Sequence, residues 1–341
     1  MDGIGVNISD GKRWDEYVLN HPRSFFYHLH GWGEALEDVF GFKKLYVELI
    51  SGGKIRGVLP LVLVDTFFNR YIASIPIGVY AGALADTDSA ELALIEKAAE
   101  LTKEYKCSYL ELRNMRKVGD VMPSKELYAT FIKELPNTKR ECLERLPRKA
   151  RSAARHAIDS GLQYNMGFGQ LKECYDIYAV NQRSLGSPVV SAKWFEKLAE
   201  VFKDRMDILT VRYHGRCIAS VLTFFYKDTV LPFYGGCMPE SFKLEPNNYM
   251  YLKLQEHGVE KGLKYFDFGR SRRDSGSYRF KINQGFEPVP LHYQYYLNRS
   301  RNIPYIDPSN GYFDTAKMVW KRLPVSFTKW LGPKIFKFVV P

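Results

Sequence analysis

The chain has 341 residues, of which 45% are hydrophobic and 26% charged, and this composition excludes intrinsic disorder and suffices for about two domains. The excess of 49 Lys and Arg over 38 Asp and Glu gives a formal charge of +11 at pH 7. No apolar run approaches the roughly 20 residues of a membrane-spanning helix, and the first residues lack a secretory signal pattern, which favours a cytoplasmic protein.

The positive charge is concentrated in three segments. Residues 139–155 carry +5, residues 269–281 carry +4 and residues 299–341 carry +6, so the remainder of the chain carries −4. Basic segments in a mildly acidic chain favour anion binding over general solvation. The five Cys form no C-x-x-C pair, which predicts structural thiols and no metal site.

The first half of the chain predicts a helix, a hairpin, a strand, a second helix and a second strand. WGEALEDVF (32–40) is amphipathic, and VELISGGKIRGVLPLVLV (47–64) has two β-rich runs around a Gly-containing turn. Tyr80-Ala81-Gly82 is interpreted as the end of a strand. SAELALIEKAAELTKEY (89–105) keeps helical apolar spacing, and YLEL (109–112) predicts the next strand.

A basic helix is predicted next. Arg148, Arg151 and Arg155 have the spacing i, i+3, i+7 on one face of a helix that follows Pro147 and ends near Gly161. Guanidinium groups in such a row suit bidentate phosphate contacts. A solvated helix flank is the alternative interpretation.

The second half repeats the order of the first. WFEKLAEVF (194–202) matches the first helix at five of nine positions, and the same offset of 162 aligns LTVRYHGRCIASVLTFFY (209–226) with the first hairpin. Tyr234-Gly235-Gly236 and YFDF (265–268) match the two strands of the first half. Between them, Pro246-Asn247-Asn248 predicts a helix start with Asn as the N-cap. Ordered matches of this kind predict an internal duplication.

The duplicated pattern resembles the GNAT acyltransferase fold, in which a strand with a splayed end admits an acyl-pantetheine arm. Two copies in one chain resemble the FemAB-like tandem-GNAT transferases over about residues 14–297. Asp267-Phe268-Gly269, then Ser277-Tyr278-x-Phe280-Lys281 and Gly285-Phe286, most resemble the branch associated with exosortase/PEP-CTERM systems.

This resemblance implies an α+β protein with two tandem GNAT-like domains, each a mixed, mainly antiparallel sheet with helices on both faces. We place the first domain at residues 1–145 and the second at residues 146–298. The second domain then begins with the basic helix at residues 147–161, and residues 299–341 form a basic aromatic extension.

The same resemblance implies an acyltransferase that transfers an acyl or aminoacyl group to an amine on a cell-envelope or exopolysaccharide-related acceptor. Lys281 aligns with the lysine of the family's aromatic-Lys motif, where it would hold the donor or stabilise transition-state charge. Asp267 would orient the acceptor amine, accept its proton or pin a loop. Tyr234 joins the catalytic candidates because the backbone amides after it would hold the reacting carbonyl.

Substrate binding would fall to cations, amides and a helix N-terminus around this centre. Asn247 and Asn248 would present free N–H groups to an anion, although capping explains them equally well. The predicted binding residues are Arg148, Arg151, Arg155, Gly235, Gly236, Asn247, Asn248, Arg270, Ser277, Tyr278 and Arg279. The co-substrate would be aminoacyl-tRNA or acyl-CoA, with no permanently bound cofactor, and the acceptor would be lipid- or nucleotide-linked.

Two departures from the family pattern bear on the substrates. The Gln/Arg-x-x-Gly-x-Gly/Ala loop of acyl-CoA users is missing from its expected place, which weakens free acyl-CoA as the donor. The stretch FYHLHGW (26–32) lacks the Gln and Lys of enzymes that take nucleotide-linked precursors, so the acceptor is expected to differ from a peptidoglycan precursor. An acyl-CoA-dependent N-acetyltransferase and a non-catalytic RNA- or anion-binding protein are the alternative functions.

The C-terminal residues 317–341 combine Trp and Phe with Lys and Arg. This composition suits peripheral contact with the inner face of a membrane. Packing on the second domain is the other interpretation, and it is slightly favoured because Pro324 and Pro333 divide the segment into short pieces.

Overall fold

The computed structural model describes residues 3–67, 69–119, 122–304 and 312–337. Within these residues the chain divides into two units. Unit 1 contains the described residues up to 128, residues 290–304 and residue 337. Unit 2 contains residues 129–289 and 312–336.

The helices and strands follow in chain order. The helices are α1 (Gly11–Asn20), α2 (His30–Phe40), α3 (Asp88–Glu104), α4 (Lys139–Glu144), α5 (Arg148–Asp159), α6 (Leu171–Leu185), α7 (Ala192–Val201), α8 (Pro246–Glu260), α9 (Gly276–Asn283), α10 (Tyr312–Arg322) and α11 (Val325–Phe336). The strands are β1 (Gly3–Val6), β2 (Lys43–Lys44), β3 (Val47–Ser51), β4 (Lys54–Leu59), β5 (Leu61–Asp65), β6 (Arg70–Ser74), β7 (Leu84–Ala85), β8 (Tyr109–Asn114), β9 (Ser124–Lys125), β10 (Tyr128–Glu134), β11 (Gln163–Met166), β12 (Met206–Tyr213), β13 (Arg216–Tyr226), β14 (Thr229–Cys237), β15 (Tyr265–Asp267), β16 (Ser271–Arg272), β17 (Pro288–Pro290) and β18 (His292–Leu297).

Unit 1 contains two sheets. One has the order β1-β3-β4-β7 and the other the order β2-β5-β6-β8-β18-β9. The division falls at Pro60, between β4 and β5, because proline has no N–H with which to continue a strand ladder. Leu94, Ala98 and Leu101 form the buried face of α3 and pack into the core of this unit.

Unit 2 is built on one eight-stranded sheet with the order β11-β12-β13-β14-β15-β10-β16, and β17 pairs with β10. The hairpin β12–β13 continues into β14 without a break. The core of the unit contains Phe131, Val221, Met250, Leu254 and Phe266. Mixed pairing and helices in both units confirm the predicted α+β class.

The two halves of the sequence share more than their element order. In each half a helix precedes a hairpin, and α3 and α8 each lie, in chain order, between two strands that pair in parallel. The predicted strand end at residues 80–82 is wrong, because β6 already ends at Ser74 and residues 80–83 are irregular. The matching residues 234–236 do lie in a strand, β14.

Each half also contributes a strand to the sheet of the other half. Strand β10, which follows β8 and β9 in the chain, pairs antiparallel with β15 in the sheet of unit 2. Strand β18, which follows β15 and α9, pairs antiparallel with β8 in unit 1. Residues 129–145 therefore lie in unit 2 and residues 290–298 in unit 1, unlike the domain limits placed from the sequence. The limits differ because strand pairing is a non-local choice that local patterns do not encode.

The C-terminal helices α10 and α11 pack on α6 of unit 2. Thr328, Gly332 and Phe336, spaced at i, i+4, i+8, form the buried face of α11. A Cβ added at Gly332 would lie 2.7 Å from the side chain of Val189, so this close approach requires glycine. The predicted packing of the extension on the second domain is therefore observed for residues 312–336. In the described parts of the chain, no helix combines the length and apolarity needed to cross a membrane.

Candidate functional site

The site begins where β15 ends, at a turn held by two buried side chains of opposite charge. Asp267 is 2% exposed, and its Oδ1 accepts hydrogen bonds from Thr130 Oγ1 at 2.7 Å and from the backbone N–H of Gly269 at 2.9 Å. Lys281 of α9 is 7% exposed, and its Nζ donates to the carbonyl oxygens of Gly269 at 2.7 Å and Arg270 at 3.2 Å. The two side chains thus hold the same turn.

Gly269 permits this turn because its φ is +71°, in the left-handed region that disfavours a Cβ. Ser275 then begins α9 by accepting a hydrogen bond from the N–H of Tyr278 at 3.1 Å, as an N-cap does. The cap and the turn together fix the helix that carries Lys281. Local chemistry in residues 267–278 therefore positions the lysine.

The Lys281 ammonium lies in an unusual environment. Burial lowers its pKa to about 7, with Asp267 opposing the change and Arg270 adding to it. The rings of Phe131 and Phe268 each have their centroid 5.3 Å from Nζ, which stabilises the charged form. Of its three N–H donors, two bond carbonyls, and the third has no acceptor among the residues the structure describes. This donor is available to a substrate oxygen.

Strand β14 is splayed away from β15 next to this turn. The two strands pair only at Thr229 with Tyr265 and at Val230 with Phe266, whereas β14 continues along β13 as far as Cys237. The register between β13 and β14 shifts at residue 233, which is a β-bulge. Bulges of this kind redirect a strand, and here the redirected part contains residues 234–236.

The side chain of Tyr234 is packed within the unit. Its hydroxyl accepts a hydrogen bond from Trp194 Nε1 at 2.9 Å, and its ring stacks on Phe195 at 4.9 Å. A Cβ at Gly235 would lie 2.6 Å from the hydroxyl of Tyr251, and one at Gly236 would lie 2.7 Å from Asn181 Cβ. The absence of a Cβ at these glycines therefore allows neighbouring side chains to pack closely against the strand. The predicted role of Tyr234 in catalysis stays a prediction.

The N-terminus of α8 carries the two predicted asparagines. Glu245, in the left-handed region with φ 55°, occupies the N-cap position, so the prediction of Asn as the N-cap is wrong. Pro246 begins the helix, which places Asn247 and Asn248 in its first turn with backbone N–H groups outside the helical ladder. Burial raises the pKa of the Cys237 thiol, and the nearby Asn247 side chain opposes this change. Anion binding at this helix end stays a prediction.

Asn248 is part of a polar chain that joins α8 to α9. Gln284 Nε2 donates to Asn248 Oδ1 at 2.6 Å, and Asn248 Nδ2 donates to Glu245 Oε2 at 2.8 Å. Gln284 is 2% exposed, and its Oε1 has no partner in the described part of the chain. The structure thus connects the turn after Lys281 to the start of α8.

The basic helix α5 forms as predicted, from Arg148 to Asp159, with Ala150, Ala154 and Ala157 on its buried face. Arg148 and Arg155 are exposed and make no ion pair or hydrogen bond with any residue described, whereas Arg151 Nη1 donates to the carbonyl of Glu144 at 2.9 Å. A Cβ at Gly285 would lie 3.1 Å from the ring of Pro147. The start of α5 is therefore adjacent to the end of α9.

The motif residues before Lys281 have different surroundings. Ser277 is exposed at the start of α9, and its hydroxyl lies 2.9 Å from that of Ser275. Tyr278 packs edge-on against Phe131 at 5.1 Å, and Phe131 is one of the two rings that contact the Lys281 ammonium. Arg279 is exposed and has no ion-pair partner among the described residues. Arg270 contributes a carbonyl to Lys281 through its backbone.

Sequence reasoning missed three residues that the structure brings to the site. Thr130 and Phe131 belong to β10, which is more than 130 residues from Asp267 in the chain, so no local pattern indicates them. Gln284 lies within the motif-bearing stretch, and its position between Lys281 and Gly285 was the available signal. Within the described ranges, no group of three or more His, Cys, Asp or Glu side chains is arranged to hold a metal ion.

Comparison with known proteins assigns the fold. Residues 140–282 match a family profile described as an acetyltransferase (GNAT) domain, and this range includes Asp267, Lys281 and helix α5. The crystal structure of FemX superposes with a TM-score of 0.67 at 15% identity, covering 85% of this chain and 96% of FemX. A tandem GNAT protein from the clavulanic acid biosynthesis pathway superposes with a TM-score of 0.55 at 11% identity, covering 87% and 98% of the two chains.

The chain has a tandem GNAT fold. No curated protein sequence matches it. The structural similarities lie below 25% identity and establish the architecture. The parallel pair β14–β15, the hairpin before it and the helix between its strands are accordingly the second GNAT domain, and the Asp267–Lys281 turn lies beside its splayed strand.

Proposed function

We propose that the protein is an N-acyltransferase of FemAB type, which transfers an acyl or aminoacyl group to an amine. The observation that carries this proposal is the buried Lys281 with an uncommitted N–H, held by the turn beside the splayed strand β14. Amide formation needs a stabilised oxyanion at the attacked carbonyl, and a preorganised cation in a dry site supplies such stabilisation.

In the proposed reaction the acceptor amine attacks the ester or thioester carbonyl of the donor. A carbon–nitrogen bond forms, the carbon–oxygen or carbon–sulfur bond breaks, and the amine proton passes to the leaving oxygen or sulfur. Lys281 in its ammonium form donates its third N–H to the carbonyl oxygen as negative charge develops there. That charge favours the protonated lysine, so the lowered pKa in the resting site returns toward its ordinary value in the transition state.

We assign Asp267 a positioning role in this reaction. Its Oδ1 already accepts two hydrogen bonds, one of which holds the N–H of Gly269, the residue whose carbonyl binds Lys281. The carboxylate also opposes the loss of the Lys281 proton. Both effects keep an ammonium in place at the end of β15 without requiring direct contact with the acceptor.

Unpaired cations near this turn support binding of an anionic donor or acceptor. Arg148 and Arg155 of α5 and Arg279 of α9 are exposed and have no ion pair in the described parts of the chain. The contact between Gly285 and Pro147 makes these two helices neighbours. Guanidinium groups in this arrangement suit a phosphate of aminoacyl-tRNA, acyl-CoA, or a lipid- or nucleotide-linked acceptor.

We further propose that the acceptor is a cell-envelope or exopolysaccharide-related amine, which rests on the resemblance of residues 267–286 to the exosortase/PEP-CTERM-associated branch. Aminoacyl-tRNA is the favoured donor because the sequence lacks the pyrophosphate-binding loop of acyl-CoA users. Acyl-CoA is the alternative donor for the same fold.

The test is transfer of radiolabel to an envelope extract. Purified protein would be incubated with the extract and either tRNA charged with labelled amino acids or labelled acetyl-CoA. We expect label in amine-containing material with one donor, loss of transfer in Lys281→Met, and full transfer in the control Lys264→Met, whose side chain is 73% exposed.

Two outcomes would contradict the proposal. The first is undiminished transfer by a folded Lys281→Met protein. The second is absence of transfer from both donors together with salt-sensitive binding of generic RNA, which would favour a binding protein that uses α5.

A further inference from the structure

Exposed large apolar side chains are concentrated in helices α10 and α11. Of the twelve large hydrophobic side chains that are exposed among the described residues, four lie in these two helices. They are Met318 at 52% exposure, Val319 at 56%, Phe327 at 40% and Trp330 at 59%. Scattered single exposures are ordinary on a protein surface, whereas a concentration in two short helices indicates a binding surface.

The opposite face of α11 fixes the orientation of this surface. Thr328, Gly332 and Phe336 are buried, and Lys329 forms an ion pair with Asp176 of α6. Phe327 and Trp330 are close neighbours on the helix, with ring centroids 5.6 Å apart. The aromatic pair is therefore exposed to solvent, because a different face of α11 is packed within unit 2.

Three cations accompany the exposed apolar side chains. Lys321, Arg322 and Lys334 are exposed, and none forms an ion pair within the part of the chain that the structure describes. The Lys334 ammonium lies 3.9 Å from the centroid of the Trp330 ring, a cation–π contact. The only acidic residue of the described α10–α11 segment is Asp314, which pairs with Lys317.

We propose that α10 and α11 form a docking surface for an anionic lipid bilayer. Indole and phenyl rings partition into the headgroup region, while adjacent Lys and Arg contact lipid phosphates. The unpaired cations supply the charge complementarity, and the exposed Trp330 with Lys334 above its ring combines both contacts in one place. The surface lies on the interface without spanning it, and its binding does not depend on the proposed acyl transfer.

Tryptophan fluorescence tests this surface in the unmodified protein. The other four Trp are no more than 9% exposed, namely Trp14, Trp32, Trp194 and Trp320. Doxyl-labelled lipid in vesicles of phosphatidylcholine with phosphatidylglycerol should therefore quench Trp330 selectively. Vesicles of phosphatidylcholine alone should quench it much less, and high salt should reverse the difference.

Charge-reversal variants distinguish vesicle binding by this surface from vesicle binding that depends on the overall positive charge of the protein. We expect Lys321→Glu, Arg322→Glu and Lys334→Glu together to weaken co-sedimentation with the anionic vesicles by at least roughly 100-fold. The matched control reverses three exposed lysines elsewhere in unit 2, giving the same net charge; these are Lys172, Lys193 and Lys203. Its binding should fall far less.

The double variant Phe327→Ser with Trp330→Ser tests the aromatic contribution to vesicle binding. The control is Phe67→Ser, because Phe67 is 88% exposed and lies in unit 1. The first change should abolish stable sedimentation, and the second should leave it unchanged. The proposal is overturned if wild-type Trp330 is not quenched by anionic vesicles, if both charge-reversal variants lose binding equally, or if the surface instead mediates self-association at the same protein concentrations.

Discussion

The buried Lys281 predicts a pH dependence of stability that can be measured without knowing any substrate. Its pKa is lowered from the ordinary value of 10.5 to about 7 in the folded protein. The folded state therefore binds fewer protons than the unfolded state between these two pH values. Because stability rises with pH wherever the unfolded state binds more protons, this residue makes the protein more stable as pH rises from neutrality towards pH 10.5.

The magnitude follows from the same two values. The difference between 10.5 and about 7 corresponds to about 5 kcal/mol at about 1.4 kcal/mol for each tenfold change in the equilibrium. Most of this change in the free energy of unfolding occurs above neutral pH. Between about pH 7.5 and about pH 9 the free energy of unfolding should rise by about 2 kcal/mol from this residue alone.

Lys281→Met isolates the contribution because methionine has a similar length and no charge. The variant leaves the carbonyls of Gly269 and Arg270 without their donor, which costs about 1–3 kcal/mol for each group that stays buried, but this cost does not vary with pH. The stability difference between wild type and variant should therefore change by about 2 kcal/mol across the interval. Urea unfolding at several pH values measures it.

Lys264→Met is the control, since its side chain is 73% exposed and its removal should leave the pH slope as in wild type. The reasoning would be refuted if the difference in unfolding free energy between wild type and Lys281→Met did not change from about pH 7.5 to about pH 9. Such a result would mean that Lys281 is charged in the folded protein over this whole range, or that water reaches it. The proposed change of its pKa during transfer would then lose its basis.

Three further substitutions test other parts of the structure. Gly269→Ala should lower the unfolding free energy by about 1–2 kcal/mol, because Gly269 has a left-handed φ, and should abolish acyl transfer. The control Gly215→Ala, at φ +78° in an open turn, should cost a similar amount and leave transfer intact. Thermal melts and the labelling assay compare the two variants. Thr130→Val removes the hydroxyl bound to Asp267 and should lower the unfolding free energy by about 1–3 kcal/mol in urea, and a neutral result would show that water replaces it. Gly332→Val should detach α11, seen as increased proteolysis confined to the C-terminal helices, and unchanged protection would contradict the observed close packing.

Local patterns in the sequence predicted the elements that depend on local geometry. The helices at residues 32–40 and 194–202, the hairpins after them and the basic helix α5 all form where their apolar spacing and turn residues indicate. Periodicity of 3.6 or 2 residues is imposed by the backbone, so it is visible in the chain itself. Two local predictions failed: the strand end at residues 80–82, and the cap of α8, where Glu245 replaces the expected Asn.

Local sequence patterns predicted only part of the candidate site. The residues from Asp267 to Lys281 form one continuous motif, and the structure brings the two side chains to the same turn. Thr130 and Phe131 reach that turn from the other half of the sequence through the pairing of β10 with β15. No spacing rule links residues that meet only because two strands pair.

The sequence by itself determined the duplication, the fold class and the motif that carries Lys281, because each rests on residue types at short and repeated spacing. Tertiary structure alone decided three other properties: the exchange of β10 and β18 between the sheets, the burial that lowers the pKa of Lys281, and the exposure of Trp330 on the face of α11 that is not packed. Pairing and burial depend on which distant segments pack together, and that choice is made by the whole chain.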